Sequence, residues 1–234
     1  MKVVKAIPNI LTLANLSLGV LGIQVALDGD IQLASWFILI AVSLDFLDGF
    51  TARILKAQSP IGQQLDSLAD LVSFGVLPGF IYCRHLGNLG LDLAPSKFGL
   101  LFLIVPILSA LRLAKFNVDE NQTDEFIGLS TTAHAIFVSS IVLFASSNSA
   151  FNGLFLGYEV WLILMFLGSF LLVSPIRLIA LKFKTFNLKE NWTKYILLAL
   201  GVIFVAIFRI GGLSLTIISY IILSMIYNLS RNKN

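Results

Sequence analysis

Four aspartates fall inside apolar stretches of this 234-residue chain, in two pairs: Asp45 with Asp48, and Asp66 with Asp70. An ionised carboxylate at membrane depth costs roughly 2.5–3.5 kcal/mol on insertion scales, and four close together also repel one another, with Arg53 and Lys56 the nearby cations. Spacings of three and four put each pair on one face of a helix. Hard divalent cations prefer carboxylate oxygens, so the pattern reads as an oxygen-ligand metal site within a membrane. Four carboxylates that share ligands can hold two ions a few ångströms apart, and two such ions clamp a phosphoryl group during its transfer. Helix capping, or pairing with Arg53 and Lys56, explains one such aspartate more easily than two on each helix. A cation-coupled transporter is the competing class, because intramembrane carboxylates also mark ion pathways.

The surrounding chain supplies the elements that must carry these groups. It is 57% hydrophobic and only 12% charged, with a mean hydropathy of +0.91; a soluble domain is about 25% charged. The fold class is therefore all-α, a polytopic transmembrane helix bundle. The net charge of +3 comes without a basic run or patch, which argues against nucleic-acid binding. A single cysteine, Cys83, excludes an internal disulfide. Hydropathy places eight spans at about 8–27, 31–55, 61–83, 97–117, 128–148, 154–181, 192–209 and 211–229. The first is too long for a signal-peptide core and is interrupted by Asn9, Thr12 and Asn15, so it reads as a retained helix. With the N-terminus inside, Lys2, Lys5, Arg53, Lys56, Arg112, Lys115, Arg177, Lys182, Lys184, Lys189, Lys194, Arg231 and Lys233 all fall on the cytoplasmic side, and Arg84, Lys97 and Arg209 outside. That bias predicts both termini in the cytoplasm and the aspartates at the cytoplasmic ends of spans two and three. Lys56 to Pro60 is a short connection, so these spans should be antiparallel with their acidic faces meeting. Gly49 and Ala52 lie on or beside the first acidic face and Gly62 one turn before Asp66, small residues that leave room for a ligand. Trp36, Trp161 and Trp192 fall near span ends, as an aromatic belt would. His134 reads as a hydrogen-bonded bundle residue, and His85 as surface.

Written in full, the pattern is Asp45-x2-Asp48-Gly49-x2-Ala52-Arg53-x8-Gly62-x3-Asp66-x3-Asp70. It resembles the signature of the CDP-alcohol phosphotransferase family, with all eight fixed positions present. The resemblance implies a six-helix membrane enzyme that uses two divalent cations, Mg2+ or Mn2+, at its cytoplasmic face, displaces CMP from a CDP-linked donor by attack of an alcohol, and forms a homodimer. Carried over by position, Asp45, Asp48, Asp66 and Asp70 would hold metal, and Asp70 would also be the general base. Asp48, Gly49, Ala52, Arg53 and Gly62 would line the CMP and diphosphate pocket. On this reading residues 1–190 form the catalytic core and 191–234 a C-terminal hairpin of the same bundle.

Three further stretches look like the membrane-type phosphatidylserine synthases: Leu65 to Pro78, Pro8 to Gly19, and Ala110-Leu-Arg112-Leu-Ala-Lys115-Phe116-Asn117. That points to CDP-diacylglycerol as donor and L-serine as acceptor, with choline, inositol or glycerol 3-phosphate as alternatives. The chain departs from the pattern at Lys115, where the family commonly has Arg, and at Ser130, Thr132 and His134, which replace prolines and a small residue. Serine carries a carboxylate, which the planar fork of Arg112 suits; Lys115 is second and Ser73 is placed at the acceptor border. Arg112 and Lys115 also suit plain interfacial snorkelling. Asn15 is a candidate for the donor phosphates or for helix packing, and Thr12 for packing.

Overall fold

The computed structural model describes residues 6–92, 99–119, 125–147, 157–179, 187 and 191–231. Among the described residues eight helices form: α1 (Ile7–Asp28), α2 (Ile31–Ile54), α3 (Pro60–Asn88), α4 (Ile104–Val118), α5 (Thr131–Ser147), α6 (Tyr158–Val173), α7 (Trp192–Phe208) and α8 (Gly211–Arg231). Two short strands, β1 (Glu125–Ile127) and β2 (Arg177–Ile179), pair antiparallel with Phe126 opposite Leu178. Local chemistry sets the boundaries. Gly29 ends α1 at φ 106, Asp30 caps α2, and Ser59 followed by Pro60 starts α3.

Five helices, with α4 extended by the turn Leu101–Leu103, are long and apolar enough to cross a membrane; the described parts of α5, α6 and α7 are shorter, at 17, 16 and 17 residues. The outward surface is apolar, with Phe46, Ile107, Val202 and Ile207 all at least 60% exposed, as a lipid-facing surface requires. This is an integral membrane protein.

Three sequence expectations change here. The sixth span, placed at 154–181, is helical only to Val173 within the described residues. Pro175 cannot donate to the helix ladder and disfavours the helical region at Ser174, whose ψ is 149. The chain then runs extended into β2. Trp161 is not at the surface: it is 1% exposed and packs edge-on to Tyr82, and His85, expected at the surface, is half-buried with its ring centroid 4.0 Å from that of Trp161. Trp36 and Trp192 are exposed, as a belt requires.

The core runs from Ala26 of α1 and Ala34, Ile38 and Ala41 of α2, through Phe74, Leu77, Ile81 and Tyr82 of α3, to Val138 of α5 and Met165 of α6. α1 lies against α2 and α3 along a stripe of buried residues, Pro8, Thr12, Asn15, Gly19, Gly22 and Ala26, spaced three and four apart. A side chain on Gly19 would sit 2.4 Å from the Ser73 hydroxyl, so the backbones meet there as membrane helices do. α3 contains a π-helical segment, Leu71–Val76, directly after Asp70. The wider turn rotates everything beyond it relative to the acidic face.

Candidate active site

Asp45 and Asp48 of α2 and Asp66 of α3 converge until one carboxylate oxygen from each lies within 4.8 Å of the others. α1 packs on both helices while the backbones of α2 and Pro60–Asp70 stand apart, so the acidic side chains meet across a cleft. Asp48 is buried; its Oδ2 accepts a 2.7 Å hydrogen bond from the hydroxyl of Thr12, which also lies 3.0 Å from the carbonyl of Pro8. Asp70 lies one turn farther along α3, outside that group of three. It also feels the charge of Arg112 on α4. The outer turn of this face is tied to α4 by Asn117, whose amide donates to the Ser67 hydroxyl at 2.9 Å.

Oδ1 of Asp66 and Oδ1 of Asp70 are buried and accept no hydrogen bond from the described residues. Buried carboxylate oxygens without partners are costly. A hard cation supplies what the protein withholds, and the all-oxygen donor set fits it. These residues can hold a divalent metal.

Asp48 and Asp66 of the cluster line a cavity of about 580 Å³, together with Gly49, Ala52, Gly62, and Asn9 and Thr12 of α1; Asp45 lies outside the lining. That volume lies within the ordinary range for a small-molecule site. Beyond its chain neighbours and its own helix backbone, no described atom comes within 4 Å of the place where a Cβ on Gly49 would stand; the space beside it opens on the cavity. Gly62 is nearer its neighbours, with Asn9 Oδ1 3.2 Å from a would-be Cβ.

The remaining sequence candidates divide. Arg53 is exposed, is absent from the cavity wall, and turns its Nε back to donate to the carbonyl of Gly49 at 3.0 Å. Asn15 is fully buried one turn beyond Thr12; its amide has no partner among the described residues and it does not line the cavity. Ser73 is rotated away by the π turn and donates to the carbonyl of Asn15 at 3.0 Å, joining α3 to α1. Arg112 and Lys115 do come together, in a second cavity of about 290 Å³ walled by Asp119, Ile127 and Ser174. Arg112, stacked on Phe116, also faces a third cavity, of about 320 Å³, with Gly128, Ser130 and Tyr220. Gly128 holds φ 74 and meets the carbonyl of Leu172 so closely that no side chain fits. His134 is fully buried with its ring over Tyr82, and neither ring nitrogen has a hydrogen-bond partner among the described residues, unlike the bonded residue expected. Sequence reasoning passed over Asn9 and Thr12 as site residues. The signal available was their phase: with Asn15 they occupy every third position of one stripe.

A model of the CDP-alcohol phosphatidyltransferase family matches residues 5–167, which contain all four aspartates. The chain belongs to the CDP-alcohol phosphatidyltransferase family. As in the family, its chemistry is group transfer in phospholipid biosynthesis, and the chain is a transferase. It is 35% identical over 190 residues to a CDP-diacylglycerol–serine O-phosphatidyltransferase of Helicobacter pylori strain J99, covering 78% of this chain and 75% of the relative. Identity is 39% over 123 residues to the protein of that name from Bacillus subtilis strain 168, covering 53% and 67%. An archaetidylserine synthase of Methanothermobacter thermautotrophicus is 32% identical over 141 residues, covering 59% and 58%.

Proposed function

We propose that this chain transfers the phosphatidyl group of CDP-diacylglycerol to L-serine, giving phosphatidylserine and CMP. The observation that carries this reading is the convergence of three motif carboxylates, two of which, Asp48 and Asp66, line a cavity with room for a nucleotide-sized ligand. The choice of serine is supported by the relatives' names, which share serine while the lipid differs between phosphatidyl and archaetidyl.

Asp45, Asp48 and Asp66, with Asp70 adjoining, would hold two divalent cations, Mg2+ or Mn2+. When bound, these neutralise diphosphate oxygens and stabilise the departing CMP. Thr12 holds the Asp48 carboxylate in place. Gly49, Ala52 and Gly62 give the CMP moiety close access to the backbone, whereas Arg53 and Asn15, expected at the diphosphate, lie outside the lining of the cavity. Asp70 takes the proton of the serine hydroxyl. The serine oxygen then bonds to the phosphorus that bears diacylglycerol, the bond from that phosphorus to the bridging oxygen breaks, and CMP leaves with that oxygen. Arg112 binds the serine carboxylate with Lys115 beside it, while Ser73, expected at the acceptor border, ties α3 to α1 instead. Asp119 on the same cavity wall suits the ammonium group of a zwitterion.

In the bilayer the site faces the cytoplasm, both termini lie on that side, residues 1–190 act as the core with 191–234 as its hairpin, and the protein works as a homodimer. The Lys and Arg distribution supports the orientation. The test is CMP release by purified protein from CDP-diacylglycerol with Mg2+ or Mn2+ and each alcohol in turn. Release with serine alone is expected. Release with choline, inositol or glycerol 3-phosphate instead would move the acceptor, and no release with any would remove the enzyme reading in favour of a transporter.

A further inference from the structure

The C-terminal hairpin lies beyond the family match, yet α8 reaches the acceptor side. Tyr220, Ser224 and Asn228 are spaced four apart, on one face of α8. All three bond the backbone of β2. The Tyr220 hydroxyl donates to the carbonyl of Ile179 at 2.9 Å, the amide of Ile179 donates to the Ser224 hydroxyl at 3.2 Å, and the Asn228 side-chain amide donates to the carbonyl of Arg177.

The strand geometry explains why these groups need partners. In an antiparallel pair, successive residues point their backbone groups alternately toward and away from the neighbouring strand. Leu178 faces β1 across from Phe126. The polar groups of Arg177 and Ile179 then face the other way, where no third strand lies among the described residues. A strand edge in a water-poor setting must be satisfied, and the α8 ladder stands where that strand would be.

β2 in turn holds β1. The amide of Gly128 donates to the carbonyl of Ile176 at 2.8 Å, continuing the pairing past Ile127. Ile127 walls the cavity that contains Arg112 and Lys115, and Gly128 walls the other cavity onto which Arg112 opens, where Tyr220 itself is a wall.

Resting on the serine reading above, we propose that the Tyr220–Ser224–Asn228 face of α8 is a positioning element for the acceptor: it fixes the strand pair and through it the wall opposite Arg112. These residues touch neither the carboxylates nor the donor cavity, so they set acceptor affinity and leave donor affinity alone.

The experiment measures CMP release by full-length protein as serine and CDP-diacylglycerol are varied separately, for wild type, Tyr220→Phe, Ser224→Ala, Asn228→Ala, the triple variant, and Ser224→Thr, which keeps the hydroxyl. The expected result is a KM for serine raised roughly fivefold per variant, the size of one hydrogen bond, and more in the triple. KM for CDP-diacylglycerol should stay within about twofold, and Ser224→Thr should recover most of the loss. A KM for serine that does not move, or a loss shared equally by both substrates, overturns the proposal; the single variants decide it even if the triple does not fold. Wild-type turnover with serine, found alongside unaltered variants, sinks this inference alone. No wild-type turnover sinks the serine reading with it.

Discussion

The proposed donor side and the proposed acceptor side of this site are built from different materials. The donor side is three continuous helices, α1 to α3, with its polar groups on helical spacing: Asn9 and Thr12, Asp45 and Asp48, Asp66 and Asp70. The acceptor side is assembled from the end of α4, two three-residue strands and a face of α8, joined by pairs such as Glu125 with Ile179 and Ser224 with Ile179. On the donor side, position in sequence translates directly into position in space. On the acceptor side, contacts some fifty residues apart make the geometry, so single changes there act through neighbours. The first should break chemistry; the second should retune it.

The sharpest way to break the contrast is on α3. Asp66→Asn removes a carboxylate from the group of three and is expected to lower kcat by about 10³-fold or more, while the protein still inserts and elutes as a single species; retained turnover contradicts the metal role. Asp70→Asn should cost roughly 10²–10⁴-fold in kcat, the range for a general base, with KM for both substrates little changed. On the acceptor side, Arg112→Lys keeps the charge and loses the fork. It should raise KM for serine by about tenfold or more, the worth of a hydrogen bond between charged groups, with KM for CDP-diacylglycerol untouched. Thr12→Val leaves the Asp48 oxygen without its hydroxyl partner and should reduce kcat/KM by around tenfold. The smallest effect is the most diagnostic. Gly49→Ala meets no protein atom and replaces a poor helix former, so thermal stability should hold or rise while KM for CDP-diacylglycerol increases several-fold. A loss of stability there would mean that the space belongs to the fold rather than to a ligand.

The same contrast explains what the sequence disclosed. The four aspartates, their sharing of faces across a short Lys56–Pro60 connection, and the family signature were all readable, because each depends on helical period and chain reversal. The π segment after Asp70 was not: it has no fixed sequence signal, and it turns Ser73 from the acceptor toward the carbonyl of Asn15. Nor were the strands, since three residues are too few to show an alternating pattern. Pro175 did mark the true end of α6, and the apolar run to 181 hid it. Arg53 matched the signature by position, yet its side chain bonds back to the Gly49 carbonyl of its own helix. Trp161, placed at the interface by its position near a span end, packs inside because the stripe of α6 that carries Met165 and Leu172 faces the bundle.

Binding of Mn2+ to detergent-purified protein, followed by electron paramagnetic resonance without substrate, tests the central claim most directly. Wild type should take up two Mn2+ per chain, Asp66→Asn distinctly fewer or at much weaker affinity, and Ser224→Ala the same as wild type. Equal uptake by wild type and Asp66→Asn, or none by either, would contradict a metal centre built from these carboxylates.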